Sequence, residues 1–117
     1  MTFARPGSHH LVIDNAYANT RAFCEKVLKP MDVEVEYFDP MIGSRLADLL
    51  RETTCAVMLE APGSGTFEVP DIPTIAAAAR AANVPSILDN TWATPLFCKP
   101  LELGVDVSEA SGSKNLS

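Results

Sequence analysis

The order of apolar and polar segments predicts an α/β fold, a mostly parallel sheet with flanking helices joined by right-handed crossovers. Three observations carry this. Ala56-Val57-Met58-Leu59 is a continuous apolar run with no alternation, as expected of a strand covered on both faces. Residues 71–82 place Ile72, Ile75, Ala76 and Ala79 on one helical stripe directly after it. Pro85-Ser86-Ile87-Leu88 then supplies another short apolar run, which completes a βαβ unit.

Each element has its own justification. His10-Leu11-Val12-Ile13 reads as a buried strand that stops at Asp14-Asn15. Residues 17–28 read as a helix with Phe23, Val27 and Leu28 on its apolar face, Asn15 or Asn19 as N-cap and Pro30 just past its end. Residues 33–38 alternate (Val-Glu-Val-Glu-Tyr-Phe), which suits a half-buried or edge strand. Asp39-Pro40 breaks the pattern, and residues 44–51, with Leu46, Leu49 and Leu50, form a short amphipathic helix. Asp71 is positioned to cap the helix of residues 71–82, with Pro73 in the first turn, where a missing N–H does no harm. Val105-Asp106-Val107 begins the last strand.

Bulk properties exclude several functions. At 117 residues, the chain is one compact unit at most. A formal net charge of -6 argues against a nucleic-acid partner, which basic patches would be needed to grip. No apolar run is long enough to span a membrane, and residues 1–10 show no signal-peptide pattern. Cys24, Cys55 and Cys98 lack metal-ligand spacing and read as small hydrophobes of a reducing compartment, so a cytoplasmic setting is expected. His9 and His10 are too few to form a metal site.

In open α/β sheets ligands bind beyond the carboxyl ends of the strands. Those ends are residues 14–17, 60–66, 89–92 and 111–114. Asp89 leaves an apolar strand there, where a carboxylate needs a partner. A protonated pyridine nitrogen would serve, and so would the backbone N–H groups of the following turn. Lys114 follows Ser111-Gly112-Ser113, whose hydroxyls and backbone N–H groups suit an anion such as phosphate. A lysine partly desolvated beside a phosphate can form an imine with an aldehyde, although a lysine near a terminus also suits a solvated surface. Tyr17 can stack on a flat ring or simply pack at the start of its helix.

Residues 13–24 resemble a D-x-x-Y-x-x-T-R-x-F segment, residues 59–69 an L-E-S-P-G-S-x-T-x-E-V segment, and residues 89–95 a D-N-T-W-A-T-P block. Taken in order, they are similar to the Cys/Met-metabolism family of pyridoxal-phosphate enzymes. The Pro62-Gly63-Ser64 form of the loop resembles its cystathionine β-lyase branch. The resemblance implies fold type I and pyridoxal 5'-phosphate as cofactor. It implies that Asp89 pairs with the ring nitrogen, Tyr17 stacks on the ring, Ser64 lies near the 3-oxygen, and Ser111 and Ser113 contact the phosphate. Lys114 would bind the aldehyde and move protons. The reaction implied is elimination from a cystathionine-like amino acid to homocysteine, pyruvate and ammonia, by a homo-oligomer in the full-length family.

Two features depart from the family pattern. Asn115 stands where the family has tyrosine after the lysine, and Glu109 puts a charge in the strand before it. The family is also several times longer. Residues 1–117 are therefore expected to be the central part of the cofactor-binding large domain, with the N-terminal arm and C-terminal domain absent. Alone, such a piece is expected to bind cofactor weakly and to turn over little. The rival expectation is a catalytically inert α/β remnant, or a module that pairs through an open sheet edge.

Overall fold

The computed structural model describes residues 5–16, 18–60, 70–89 and 104–109, with the backbone alone at 109. Five strands form one sheet: β1 (His9–Ile13), β2 (Glu34–Phe38), β3 (Thr54–Glu60), β4 (Ser86–Asp89) and β5 (Val107–Glu109). Their order is β2-β1-β3-β4-β5, and every pairing is parallel. The strand between Asp39 and the first apolar run is thus an edge strand, as its alternation suggests. The continuous run of β3 is central.

Two cores flank the sheet. On one face Leu11, Ile13, Val57, Leu59 and Leu88 pack against α2 (Ile72–Ala81) through Ile72, Ile75, Ala76 and Ala79, joined by Leu46. On the other, Val12 packs with Cys24, Leu28 and Val33, with Met58 and Tyr37 alongside. Alternate residues of β1 and β3 therefore serve opposite cores, which is why these strands cannot tolerate polar alternation.

The termini of α2 are defined by local chemistry. Asp71 accepts a hydrogen bond from the Thr74 N–H (3.3 Å), and the Thr74 hydroxyl donates to Asp71 Oδ2 (2.8 Å). At the other end Asn83 adopts a left-handed conformation (φ 58°). Its N–H bonds the Arg80 carbonyl and the Val84 N–H bonds the Ala79 carbonyl, which closes the helix with a paired C-terminal cap. Asp71→Ala is expected to cost about 1 kcal/mol of stability. Chemical denaturation reads this, and an unchanged midpoint would show that the cap is not needed.

The helix expected over residues 17–28 divides. α1 covers Ala18–Phe23, a π-turn covers Cys24–Leu28, and a 3-10 turn covers Lys29–Met31. Pro30 therefore lies within the helical segment, not past its end. Its ring has no N–H for the Lys26 carbonyl and crowds it, so the preceding turn widens and Lys29 N–H reaches back to the Cys24 carbonyl. The segment stops at Asp32 (φ 63°), whose neighbour Val33 bonds the Leu28 carbonyl. The buried stripe is Cys24 and Leu28, while Phe23 is 39% exposed, which corrects the expected face. Asn19 lies inside α1 and cannot be its N-cap.

Two further elements differ from expectation. The helix expected over residues 44–51 is a 3-10 segment, Gly43–Asp48, that anchors itself through buried Leu46. The last strand starts at Val107, later than expected. Asp106 does not extend the strand. Its carboxylate accepts from the Ser86 N–H (2.9 Å) and holds the amino end of β4.

At the amino end of the sheet His9 is fully buried. Its Nε2–H donates to Glu36 Oε1 (2.9 Å), and its Nδ1 meets the Thr54 hydroxyl at 2.7 Å. Thr54 Oγ1 also accepts from the Arg51 N–H (2.8 Å). The Arg51 guanidinium binds Glu34 and Glu36, holding the Glu34 carboxyl below the usual range. This network ties the edge strand to β1 and β3. Among the described residues, no helix is long and apolar enough to cross a membrane.

Candidate functional site

All five strands point the same way, so their carboxyl ends share one edge. The register there is close. Glu60 pairs with Asp89 across β3 and β4, and Asp89 pairs with Glu109 across β4 and β5. Leu59 and Leu88 belong to the α2-side core, so Glu60 and Asp89 fall on the opposite face by alternation. Glu60 is 4% exposed and Asp89 is half-buried. A half-buried carboxylate at the end of a central strand fits a cationic ring nitrogen, since it supplies charge where little solvent competes.

Of the six expected site residues, Asp89 is described and takes the strand-end position expected of it. Tyr17, Ser64, Ser111, Ser113 and Lys114 lie outside the described residues. Glu109, the last described residue of β5, precedes Ser111 by two positions in the chain. Cys24 is buried and its thiol is pushed up by that burial, while Cys55 is half-buried with its thiol against the Thr53 carbonyl. Cys98 lies outside the described residues.

The turn leaving β1 is held from two sides. Asp14 N–H bonds the Phe38 carbonyl (2.9 Å) and Ala16 N–H bonds the Ile13 carbonyl (3.1 Å). Arg21 Nη1 donates to the Asp14 carbonyl (2.7 Å) and to Asp14 Oδ1 (3.0 Å). The same guanidinium lies 4.1 Å from the centroid of the Tyr37 ring. The Tyr37 hydroxyl donates to Glu25 Oε1 (2.8 Å), and Lys29 pairs with Glu25 (2.9 Å). The sequence placed Glu60 at the start of a strand-end loop and Arg21 inside a motif, but singled out neither as a site residue. Arg21 falls within the quoted T-R-x-F pattern, but only the fold shows that seven residues of separation bring it back onto Asp14.

Burial, then the bond to Glu25, pushes the Tyr37 phenol up from 10.0 to about 12. The neutral phenol is the form the fold favours. Its contribution to stability is therefore present below the unfolded value and lost as pH rises through the folded one. Ultraviolet titration of the two tyrosines should show one ionising near 12, and ionisation of both near 10 would contradict the packing around Tyr37.

A concavity of about 580 Å³ lies at the opposite, amino edge, lined by Arg5, Gly7, Glu52, Thr54, Cys55 and Pro85. It shares no residue with the strand ends described above.

A parallel sheet with helices on both faces and a half-buried acid at a central strand's carboxyl end defines an open α/β protein, the class in which ligands bind at that edge. The profile of the Cys/Met metabolism PLP-dependent enzyme family matches residues 1–117, and the chain belongs to that family. It is 42% identical over 118 residues to cystathionine beta-lyase of Haemophilus influenzae, covering 99% of this chain and 30% of that protein. It is 41% identical over 117 residues to the L-alanine/L-glutamate racemase of Wolbachia pipientis, covering all of this chain and 28% of that one. Among solved structures, cystathionine gamma-lyase from Lactobacillus plantarum, crystallised with L-serine, superposes with a TM-score of 0.91 at 33% identity. That match covers 96% of this chain and 29% of the solved one. The chain spans 28–34% of the length of five curated relatives that it matches at 40–47% identity. The fold is that of the pyridoxal-phosphate-dependent lyases, and the family's cofactor is pyridoxal phosphate.

Proposed function

We propose that this chain supplies the ring-nitrogen acid and the cofactor-binding lysine of a carbon–sulfur lyase acting on a cystathionine-like amino acid. The observation that carries this is Asp89, half-buried at the carboxyl end of β4, in register with Glu60 and Glu109. Residues 1–117 correspond in this reading to the central part of the large domain. When bound, pyridoxal phosphate supplies an electron sink for the charge left as a proton departs the substrate's α-carbon.

The chain's own residues do the rest. Asp89 holds a proton on the ring nitrogen by its charge, while the low dielectric of the strand end strengthens the pairing. Lys114 would hold the cofactor's aldehyde, and its amine would take the proton from the substrate's α-carbon. Ser111 and Ser113 would bind the phosphate, Ser64 would lie near the 3-oxygen, and Tyr17 would stack on the ring. The β-lyase reading over the γ-lyase reading is supported by the Pro62-Gly63-Ser64 loop, while the 42% and 41% identities to the β-lyase and the racemase do not separate those two.

Products separate these readings. The gene product containing residues 1–117 is incubated with cystathionine, and with alanine and glutamate. The proposal expects pyruvate and homocysteine. Cysteine with 2-oxobutyrate, or loss of optical activity in alanine or glutamate, would replace the β-lyase reading. No reaction with any of them would favour an inert remnant.

A further inference from the structure

We infer that Arg21 is a positioning residue, which clamps the turn leaving β1 so that the chain enters the cofactor site in one conformation. The inference rests on the functional reading above, because the residue that follows this turn is Tyr17.

The turn needs such a clamp. Residues 14–16 form no regular element, and among the described residues their backbone bonds are Asp14 N–H to Phe38 and Ala16 N–H to Ile13, neither of which uses the Asp14 carbonyl. Arg21 meets it at 2.7 Å and meets the Asp14 carboxylate at 3.0 Å with the same nitrogen. One nitrogen thereby fixes both the main chain and the side chain of a single residue.

The clamp is itself held in place. The guanidinium carbon lies over the Tyr37 ring, 4.1 Å from its centroid, a contact that arginine makes more often than the compact, strongly hydrated ammonium of lysine. Tyr37 is anchored in β2 and by its hydroxyl to Glu25, which Lys29 holds in turn. An exposed ion pair alone adds little to stability, and the Arg21–Asp14 pair is about half exposed. The arrangement is better suited to fixing a direction of the chain than to stabilising the fold. Asp14 stands at the carboxyl end of β1, on the edge shared by Glu60 and Asp89, so the turn that Arg21 holds lies on that edge.

The test combines two measurements on Arg21→Ala, Arg21→Lys and Tyr17→Ala. In the cofactor-free protein, amide exchange at Ala16 should quicken about tenfold in both arginine variants, while Leu11 and Val12 keep their protection. In the protein titrated with pyridoxal phosphate, Arg21→Ala should weaken binding several-fold. In a Tyr17→Ala background the same change should add nothing, because the two residues act through one step. Exchange at Ala16 that is unchanged, or full retention of its protection by Arg21→Lys, overturns the inference. So does independent multiplication of the two effects on binding. If Tyr17→Ala weakens binding and Arg21→Ala does not, the inference alone fails. If Tyr17→Ala has no effect, the functional reading of this loop fails and the inference with it.

Discussion

Lys114→Ala is expected to abolish turnover by the gene product containing these residues, with a loss of at least about 10²–10⁴-fold from the missing proton transfer alone. The variant should also lose the visible absorbance of lysine-bound pyridoxal phosphate. Two roles meet on one amine, so neither a substitute base nor tighter binding elsewhere restores both. Lys114→Arg separates charge from chemistry. It keeps a cation near the phosphate but has no nucleophilic amine, and it should be as inactive as alanine. Turnover within tenfold of the parent in either variant would mean that Lys114 holds no cofactor.

The second large effect concerns the frame that carries the site. Leu11 is fully buried in β1, between β2 and β3, and packs in the α2-side core. Leu11→Ala should destabilise the fold by about 2–5 kcal/mol, a large part of the roughly 5–15 kcal/mol typical of a domain. Phe23→Ala provides the contrast. A helical face of Phe23, Val27 and Leu28 would make Phe23 a core residue of similar cost. With Phe23 39% exposed and Cys24 fully buried, its truncation should cost far less. Denaturant midpoints decide this, and equal losses at the two positions would restore Phe23 to the core.

That contrast shows where the sequence was legible. Strands β1, β3 and β4 were readable because each contains an unbroken apolar run, and α2 because its stripe, its Asp71 cap and Pro73 agree. The segment after β1 was harder. Its apolar spacing fits a regular helix, and only the clash of Pro30 with the carbonyl four residues back widens the turn and moves burial to Cys24 and Leu28. Residues 44–51 misled for a related reason. Three leucines within five residues fit either an α-helix or a 3-10 turn, and their periodicity does not separate the two.

The site was legible in a different way. Asp89 could be placed at a strand end from its neighbours alone, but a turn cap and a cofactor anchor remained equally consistent with that position. The ordered run of motifs, and then the family match over residues 1–117, give the family and its cofactor, and the anchor role of Asp89 is the proposal built on them. Arg21 lies in one of those motifs, which marks the residue but not its contacts. Its role depends on the chain returning across Asp14 and on a tyrosine sixteen positions later in β2.

The central claim is that one lysine and one aspartate of this chain meet the same cofactor. It is tested most directly by incubating the protein with pyridoxal phosphate, reducing it with borohydride, and mapping the modified lysines by mass spectrometry. Reduction traps even weak, reversible attachment as a stable secondary amine. The four candidates are Lys26, Lys29, Lys99 and Lys114. The account predicts that the label concentrates on Lys114 and falls sharply there in Asp89→Asn. Label spread evenly over the four lysines, or left unchanged at Lys114 by Asp89→Asn, would contradict it.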